Sequence, residues 1–289
     1  MVTRVSKRKL PEREEKILKE ATKISGKVFD DHTLMVLVHF LSNNYFSSVD
    51  YPVAQGKEAM VFRCTRKAGL PSFGSLSQIK EERKHKFSLE YQLEKTHEAP
   101  MKVKPISEPE NVALKIYKYE TTSFRTMMKY VEGDNRFKHV RHQLRPLVQT
   151  WARKEFANLQ TLFEAGVRVP RPIAYKENVL LMEFLGEGGR PYALLSEIVV
   201  ENPEKLYKKI LINMRRTFKA GLVHADLSEY NIIMKGQEPF FIDVSQAVLL
   251  DHPHAQDFLD SDVLNITKFF RRQGVKDAEF DKAMAFVTS

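Results

Sequence analysis

Alternation of apolar and other residues predicts a β-strand in the stretch N-V-A-L-K-I-Y-K. Val112, Leu114 and Ile116 would share one face of this strand. Ala113 and Lys115 would share the other face, so that a small side chain and an ammonium point in the same direction. That face is suited to hold a ligand, but a single lysine on a strand is more often simply solvated. The interpretation therefore needs support from elsewhere in the chain.

Helical periodicity supplies that support in the segment W-A-R-K-E-F-A-N-L-Q-T-L-F-E-A-G, which would end at Gly166. Its apolar stripe consists of Trp151, Phe156, Leu159, Leu162 and Phe163. At roughly 100° per residue, Glu155 falls inside this stripe. Because an unpaired buried charge costs several kcal/mol, Glu155 requires a buried cation, and Lys115 is the candidate. Residues 11–24 and about 31–41 also have helical patterns.

Three further stretches predict β-structure next to glycines. Residues 51–64 contain two β-rich runs around a polar loop centred on Gly56. Between Asn231 and Asp243, two apolar runs flank a turn at G-Q-E-P, and a hairpin there would bring these two residues to the same end. A buried strand from Val179 precedes the glycine-rich run G-E-G-G, which would form a hinge.

Composition limits the class of protein. The chain has 289 residues with 43% hydrophobic content, which is enough for a substantial core. Its 46 Lys and Arg against 37 Asp and Glu give a net charge of +9, which can attract phosphate backbones or simply solvate the surface. The single Cys64 excludes an intrachain disulfide. We expect a soluble, cytoplasmic protein, because the first residues lack an apolar signal region and no apolar run has membrane-spanning length.

Candidate chemistry lies in the segment H-A-D-L-S-E-Y-N, whose spacing D-x-x-x-x-N is typical of phosphoryl-transfer sites. In that pattern, Asp226 takes the proton of the acceptor and Asn231 holds a metal ion through its side-chain oxygen. Asp243 would supply a second oxygen ligand, a set that suits Mg2+. Because so short a pattern also occurs by chance, its weight depends on Lys115 and Glu155 upstream.

Four motifs in order resemble the RIO family of atypical protein kinases: G-K-E-A-x-V-F, V-A-L-K-I-Y-K, H-A-D-L-S-E-Y-N and I-D-V-S-Q-A-V. The Ala after G-K-E, the Ser in D-L-S-E-Y-N, the V-S-Q after the metal Asp and the run H-P-H-A-Q-D-F-L-D-S-D-V-L-N-I resemble the RIO-kinase-one subfamily. The segment from Phe124 to Phe137 resembles the flexible loop of that subfamily. The similarity extends from about Val49 to Phe270.

The resemblance implies an α+β, bilobal protein-kinase-like fold that lacks an activation segment and an A-P-E region. An N-terminal helical extension would occupy residues 1–48. A small lobe, with an antiparallel sheet and one main helix, would occupy residues 49–185 and include an insert at about 66–110. A larger, mainly helical lobe would occupy residues 186–289.

The resemblance also implies an ATP pocket. It assigns to the pocket Val53, Gly56, Lys57, Glu58, Ala59, Val61, Ala113, Lys115, Glu155, Met182, Glu183, Leu185 and Asn231. Met182 would border the back of the adenine pocket. Glu183 and Leu185 would offer backbone hydrogen bonds to the base.

The same resemblance gives roles to three residues of the carboxyl-terminal half. Asp226 would be the catalytic base, and Asn231 and Asp243 would bind Mg2+, with Mn2+ as a substitute. Because the family turns over ATP by phosphorylating its metal-binding aspartate, Asp243 would carry the phosphoryl group. The enzyme would then be an atypical serine/threonine kinase with ATPase activity.

The subfamily is associated with late maturation of the small ribosomal subunit. The implied partner is therefore a precursor of that subunit, with its rRNA and ribosomal proteins. Implied protein substrates include the chain itself. Neither a membrane nor DNA is expected as a partner.

Two alternatives remain open. A small-molecule phosphotransferase of the aminoglycoside or choline kinase type also carries H-x-D-x-x-x-x-N without A-P-E, although the G-K-E loop and the segment from Phe124 to Phe137 disfavour it. An ATP-binding ribosome-assembly scaffold without turnover is the second alternative. Catalytic turnover is favoured over such a scaffold by the complete set of Lys115, Glu155, Asp226, Asn231 and Asp243.

Overall fold

The structure is a computed structural model that describes residues 30–69, 110–119, 124–137 and 143–289. The predicted helix at 11–24 and most of the predicted insert lie outside these residues. The chain divides into two compact units: the first comprises Met1–Tyr51 and Cys64–Glu110, and the second Pro52–Arg63 and Asn111–Ser289. All residues assigned above to the ATP pocket belong to the second unit.

The first unit contains helix α1, Asp31–Ser42, which confirms the second helix predicted near the amino terminus. The carboxylate of Asp30 caps this helix by accepting a hydrogen bond from the Thr33 N–H at 2.9 Å. Inside the unit, the ring of Phe40 meets Tyr45 edge-on at 5.2 Å. The helix therefore begins where an aspartate satisfies one of its first N–H groups.

A five-stranded sheet has the strand order β1-β2-β3-β5-β4. Its strands are β1 Ser48–Gln55, β2 Ala59–Arg66, β3 Glu110–Tyr117, β4 Pro172–Lys176 and β5 Val179–Glu183. β3 pairs antiparallel with β5, which places Ala113 opposite Met182 and Lys115 opposite Leu180. Ala113 and Lys115 are 5% and 7% exposed, so the face predicted to hold a ligand is itself enclosed.

Helix α2, Phe124–Val131, corrects one expectation. The segment from Phe124 to Phe137 does not form a loop throughout, because its first part is this helix. The physical reason is aromatic packing: Tyr130 stacks on Phe258 at 5.1 Å and meets Trp151 at 6.1 Å.

Helix α3, Leu144–Glu164, carries the predicted glutamate and begins about two turns before the predicted start. Leu147 and Val148 are fully buried, so the apolar stripe continues towards the amino terminus. The helix ends next to Gly166, as predicted, and this glycine has a φ of 74° in the left-handed region. Glu155 lies in the buried stripe at 1% exposure.

The remaining elements are β6 Gly186–Glu187, β7 Arg190–Pro191, α4 Pro203–Lys219, β8 Leu222–Val223, β9 Ile232–Lys235, β10 Glu238–Phe241, β11 Val248–Leu249, α5 Ala255–Arg272 and α6 Phe280–Thr288. β9 and β10 form the predicted hairpin, with Lys235 opposite Glu238. Its turn is Gly236–Gln237, two residues shorter than predicted, which Gly236 permits with a φ of 60°. In the part of the chain that the structure describes, no helix is long and apolar enough to cross a membrane.

Candidate active site

A cavity of about 660 Å³ lies in the second unit and is bounded by the sheet and the β9–β10 hairpin. Every residue that the resemblance assigned to the ATP pocket lines this cavity. Its lining also includes Tyr117, Tyr192, Tyr230, Ile233 and Gln246, which the sequence analysis did not single out. The volume is within the range of small-molecule and cofactor sites, so a ligand of nucleotide size fits in the cavity.

The Lys115 ammonium joins two carboxylates at one edge of the cavity. Its Nζ donates to Glu155 Oε1 at 2.9 Å and to Asp243 Oδ1 at 2.8 Å. The Tyr117 hydroxyl donates to the other oxygen of Glu155. The predicted pair of Lys115 and Glu155 is therefore present, and the structure adds Asp243 to it.

Charge and burial oppose each other in this cluster. Burial lowers the pKa of Lys115, but the carboxylates of Asp243 and Glu155 outweigh it and raise that pKa above its ordinary value. Burial raises the pKa of Glu155 to about 7, against the attraction of the ammonium. Desolvation also opposes the charge of Asp243, yet Lys115 lowers the pKa of that carboxyl. The lysine therefore stays charged, and Asp243 is the ionised oxygen donor.

The hairpin brings Asn231 and Asp243 to the same end, as predicted. The Ile242 N–H donates to the Asn231 carbonyl at 3.0 Å and so holds that end together. The Asn231 amide nitrogen donates to the Asp226 backbone oxygen at 2.7 Å and to Asp226 Oδ2 at 3.0 Å. The amide oxygen of Asn231 is consequently the atom that can face a cation.

Two residues of the site adopt left-handed backbone conformations that favour glycine. Ala225 has a φ of 69° and Asp243 a φ of 57°. Asp262 stabilises the first, because its buried carboxylate accepts the N–H groups of Ala225 at 2.9 Å and Leu227 at 2.7 Å. Ser245 Oγ donates to Asp243 Oδ1 at 2.9 Å and restrains the second. Such costly conformations cluster at functional sites.

His224 contacts the residue that precedes Asp243. Burial lowers its pKa to about 4, so the ring is neutral near pH 7. Its Nε2 lies 3.1 Å from the Ile242 carbonyl oxygen and must be the protonated nitrogen, since a carbonyl only accepts. The histidine is therefore a structural donor in this site.

Helix α3 also holds the segment that follows Asp243. Lys154 is fully buried, and its Nζ donates to the backbone oxygens of Ser245 at 3.0 Å and Ala247 at 2.6 Å. Asn158 Nδ2 donates to the oxygens of Val244 at 2.8 Å and Ala247 at 3.0 Å. The helix that positions Lys115 through Glu155 thus also fixes the loop that carries Asp243.

The hinge after β5 requires a glycine at its first glycine position, Gly186. The Glu183 N–H donates to the Arg171 carbonyl at 2.8 Å, and the Leu185 carbonyl accepts the Tyr192 N–H at 3.0 Å. A Cβ on Gly186 would lie 2.3 Å from the Arg190 carbonyl oxygen, which no real side chain tolerates. The small β6–β7 hairpin therefore closes only with glycine at this position.

The donor set of the site fits Mg2+. The side chain of Asp243 is 42% exposed to the cavity, and the Asn231 amide oxygen lies at the same end of the hairpin. Among the described residues, no group of three or more His, Cys, Asp or Glu side chains could form a cage for a metal ion. Mg2+ does not need one, because it takes one or two protein ligands and completes its shell with phosphates and water.

The sequence motifs assigned no individual role to several polar residues of the site. They are Lys154, Asn158, Ser245, Gln246 and Asp262. A signal existed for Asp262, because it falls within the buried stripe of helix α5 that includes Phe258, Leu259, Val263 and Ile266. A carboxylate in a buried stripe requires partners, as Glu155 does.

Three features together define a protein-kinase-like fold. They are the five-stranded sheet, the buried pair of Lys115 and Glu155, and the hairpin that presents Asp243. A solved Rio2 kinase from Chaetomium thermophilum, in complex with ADP, Mg2+ and phosphoaspartate, matches this structure with a TM-score of 0.58 at 23% identity. The match covers 89% of this chain and 66% of that chain. It confirms the predicted α+β, kinase-like bilobal fold.

Sequence comparison identifies the family. Residues 94–283 match the RIO domain. The RIO-type serine/threonine-protein kinase Rio1 of Haloferax volcanii is 38% identical over 92% of this chain and 78% of its own length, and that of Methanocaldococcus jannaschii is 35% identical over 96% and 81%. Human serine/threonine-protein kinase RIO1 is 32% identical over 90% of this chain but only 40% of its own length. The chain belongs to the RIO family of serine/threonine-protein kinases, and these relatives are of the Rio1 type that its motifs predicted.

Proposed function

We propose that this chain is a Mg2+-dependent kinase and ATPase that transfers the γ-phosphoryl group of ATP through a phosphorylated Asp243. The observation that carries the proposal is the position of Lys115 Nζ, 2.9 Å from Glu155 and 2.8 Å from Asp243. A charged lysine held by a buried glutamate is the arrangement that positions phosphates in protein kinases. Asn231 and Asp243 both line the cavity, and Asp226 contacts Asn231 at 3.0 Å, so the proposed base is next to the same site.

The chain's own residues account for both chemical steps. An oxygen of Asp243 attacks the γ-phosphorus of ATP, so that a bond from the carboxylate to phosphorus forms while the bond to ADP breaks. A water molecule or a serine hydroxyl then attacks that phosphorus, Asp226 accepts its proton, and Asp243 leaves as a free carboxylate. Mg2+ at Asn231 and Asp243 would neutralise the phosphate charge during transfer.

Two further observations support this course. The low pKa of Asp243, caused by Lys115 against desolvation, keeps its oxygens unprotonated and able to attack. The Chaetomium thermophilum Rio2 structure of the same fold holds ADP, Mg2+ and a phosphoaspartate. The RIO family membership favours this proposal over a small-molecule phosphotransferase.

Labelling with γ-32P-ATP and Mg2+ tests the proposal. We expect a hydroxylamine-labile phosphate on the protein that is absent from Asp243→Asn. Asp257→Asn is the matched control, because this aspartate lies on helix α5 with a side chain 77% exposed. Label that survives in Asp243→Asn on serine alone would contradict the aspartyl intermediate, and phosphorylation of a small alcohol would favour the small-molecule alternative.

We further propose that the protein acts in the cytoplasm on precursors of the small ribosomal subunit. The net charge of +9 supports contact with rRNA. Helix α4 presents the exposed side chains of Lys205, Lys208 and Lys219. The purified protein should co-sediment with immature small subunits and leave them on ATP hydrolysis, and the binding should weaken as salt rises. Binding that is indifferent to salt would count against an electrostatic contribution.

A further inference from the structure

A second cavity, of about 370 Å³, adjoins the β9–β10 hairpin. Its walls are residues 198–202, the first two turns of helix α4 and the hairpin turn, and we call it the α4 groove. Met234 of β9 lines this groove, whereas the preceding residue, Ile233, lines the cavity of the candidate active site. Because successive side chains of a strand point to opposite faces, the two cavities lie on opposite sides of β9. The α4 groove is therefore separate from the candidate active site.

The lining of the α4 groove is largely apolar, and one apolar side chain at its mouth is exposed. Leu206 and Met234 line the groove and are 6% and 7% exposed. Ile198 and Val200 pack against the hydrophobic core, whereas Val199 between them is 92% exposed. A single exposed valine is common on protein surfaces, but here it stands beside an apolar recess. This combination is typical of a surface that binds a partner.

Hydrogen bonds on both sides of residues 198–202 hold the α4 groove in place. The Met234 N–H donates to the Ala193 carbonyl at 2.9 Å, and Leu194 forms a β-bridge with Ile233. At the start of α4, the Asn202 side-chain oxygen accepts the Lys205 N–H at 3.0 Å. The groove is thus preformed, so that binding a partner costs little reorganisation.

Basic side chains dominate the end of the α4 groove next to the hairpin turn. Lys209 Nζ donates to Glu238 Oε1 at 2.5 Å, and Arg168 pairs with the other oxygen of Glu238 at 2.7 Å. The hydrogen bond from Lys209 lowers the pKa of Glu238 against the effect of burial, and the charges of Arg168 and Lys205 lower it further. Three cations thus surround the Glu238 carboxylate, while Glu201 lies before the cap of α4, about two turns from Lys209. An acidic occupant is therefore complementary to the hairpin end of the groove.

We propose that the α4 groove binds a short acidic segment of a partner protein, with an aliphatic side chain packed beside Val199 and a carboxylate next to Lys205. The net charge of +9 disfavours a second copy of this chain as the occupant. The apolar lining favours a protein over a nucleic acid, because phosphates gain no affinity from apolar walls. The partner would bind on the opposite side of β9 from the nucleotide, so the proposal does not depend on phosphoryl transfer.

Selection from a library of short random peptides, with the full chain as bait, tests the proposal. We expect the enriched peptides to combine acidic with aliphatic residues, and fluorescence anisotropy then measures their affinity. Val199→Ser should weaken the binding about tenfold, because a buried valine contact is lost. The matched control is Ile212→Ser, since this residue is also branched and is 41% exposed on α4 outside the groove. It should bind the peptides as the wild type does.

Charge reversal tests the acidic part of the partner. Lys205→Glu should also weaken the binding about tenfold, and by less as salt rises. Peptides with lysine in place of their acidic residues should bind Lys205→Glu more tightly than the wild type. Lys268→Glu makes the same charge change at an exposed position of α5 and should have little effect. Equal losses in Lys205→Glu and Lys268→Glu would show only a general attraction between charges and would overturn the proposal.

Thermal unfolding and two further binding measurements separate the remaining outcomes. Val199→Ser should melt as the wild type does, because the side chain it replaces is almost wholly exposed. Peptides that bind Val199→Ser as tightly as the wild type, or selection without acidic and aliphatic enrichment, would contradict the proposal. Self-association in the ultracentrifuge that is lost in Val199→Ser would assign the groove to a second copy. Binding of poly(U) RNA that is lost in the same variant would assign it to nucleic acid, and either result would overturn the acidic segment as its occupant.

Discussion

The two sides of the cavity differ in how firmly they are held. On the hairpin side, Asp226 and Asp243 each take hydrogen bonds from at least two side chains. The glycine loop, residues 55–59, is largely exposed. It is held by the hydrogen bond from the Gly56 N–H to the Ala59 carbonyl at 2.9 Å and by one side chain, because Lys118 Nζ donates to the Gly56 carbonyl at 2.8 Å. The carboxylates on the hairpin side are thus pre-organised, whereas the more exposed glycine loop can adapt to a ligand. Substitutions on the hairpin side should therefore reduce kcat, and those in the loop should act mainly on KM.

Glu155→Gln should have the largest effect of the three changes that sharpen this contrast. The neutral amide no longer balances Lys115, which is then drawn to Asp243 alone. We expect kcat to fall about 10- to 100-fold, because a hydrogen bond to a charged group is worth ~1.5–3 kcal/mol. Steady-state ATPase assays measure the change.

The matched control for that variant is Glu164→Gln, on the exposed side of the same helix. It should retain wild-type kinetics. Equal losses in Glu155→Gln and Glu164→Gln would show that the helix as a whole is sensitive, and that the buried pair has no special role.

Patterns in the sequence were sufficient for the parts of the site that obey simple periods. Alternation placed Ala113 and Lys115 on one face of a strand. The helical period placed Glu155 in a buried stripe, where its charge requires a cation as partner. The close approach of Asn231 and Asp243 followed from the short turn of the hairpin between them. Each of these inferences uses local geometry that tertiary packing did not override.

Other parts of the site depend on contacts between distant segments. Lys154 follows Arg153 in a charged stretch, and nothing local indicates that it is fully buried against the Ser245 and Ala247 carbonyls. The contact of Gln246 with Asp226 depends on the turn after Asp243. Helix α2 was missed because its packing partner Phe258 is remote in sequence.

Lys154→Met tests the firmness of the hairpin side through stability. Burial, followed by the charge of Arg136, lowers the pKa of Lys154 to about 7 in the folded protein, below its ordinary value of 10.5. The unfolded chain therefore binds more protons than the folded one between about pH 7 and 10, and this lysine makes the wild type more stable as pH rises through that window. In the variant, the free energy of unfolding should lack this rise with pH, which amounts to up to a few kcal/mol in the wild type.

Denaturant unfolding at pH 7 and pH 9.5 gives the comparison. Besides Arg136, the titratable groups that interact with Lys154 are Asp134 and His252, and both residues are retained in the variant. The free energy of unfolding of the wild type, minus that of the variant, should increase with pH. A constant difference at the two pH values would mean that Lys154 titrates as an ordinary surface lysine, and the rigid contact of α3 with the loop would lose its support.

Gly56→Ala should have the smallest effect, because the glycine loop tolerates a side chain at this position. A Cβ there would lie 3.5 Å from the Ala59 carbonyl oxygen, which is an ordinary van der Waals contact. We expect kcat to be unchanged and the KM for ATP to change by no more than about threefold, which corresponds to less than 1 kcal/mol. Gly186→Ala is the matched contrast, since its Cβ would lie 2.3 Å from the Arg190 carbonyl oxygen and should cost about 1–3 kcal/mol of stability. If Gly56→Ala instead lowered kcat as strongly as Glu155→Gln, the loop would belong to the pre-organised machinery, and the contrast between the two sides of the cavity would be lost.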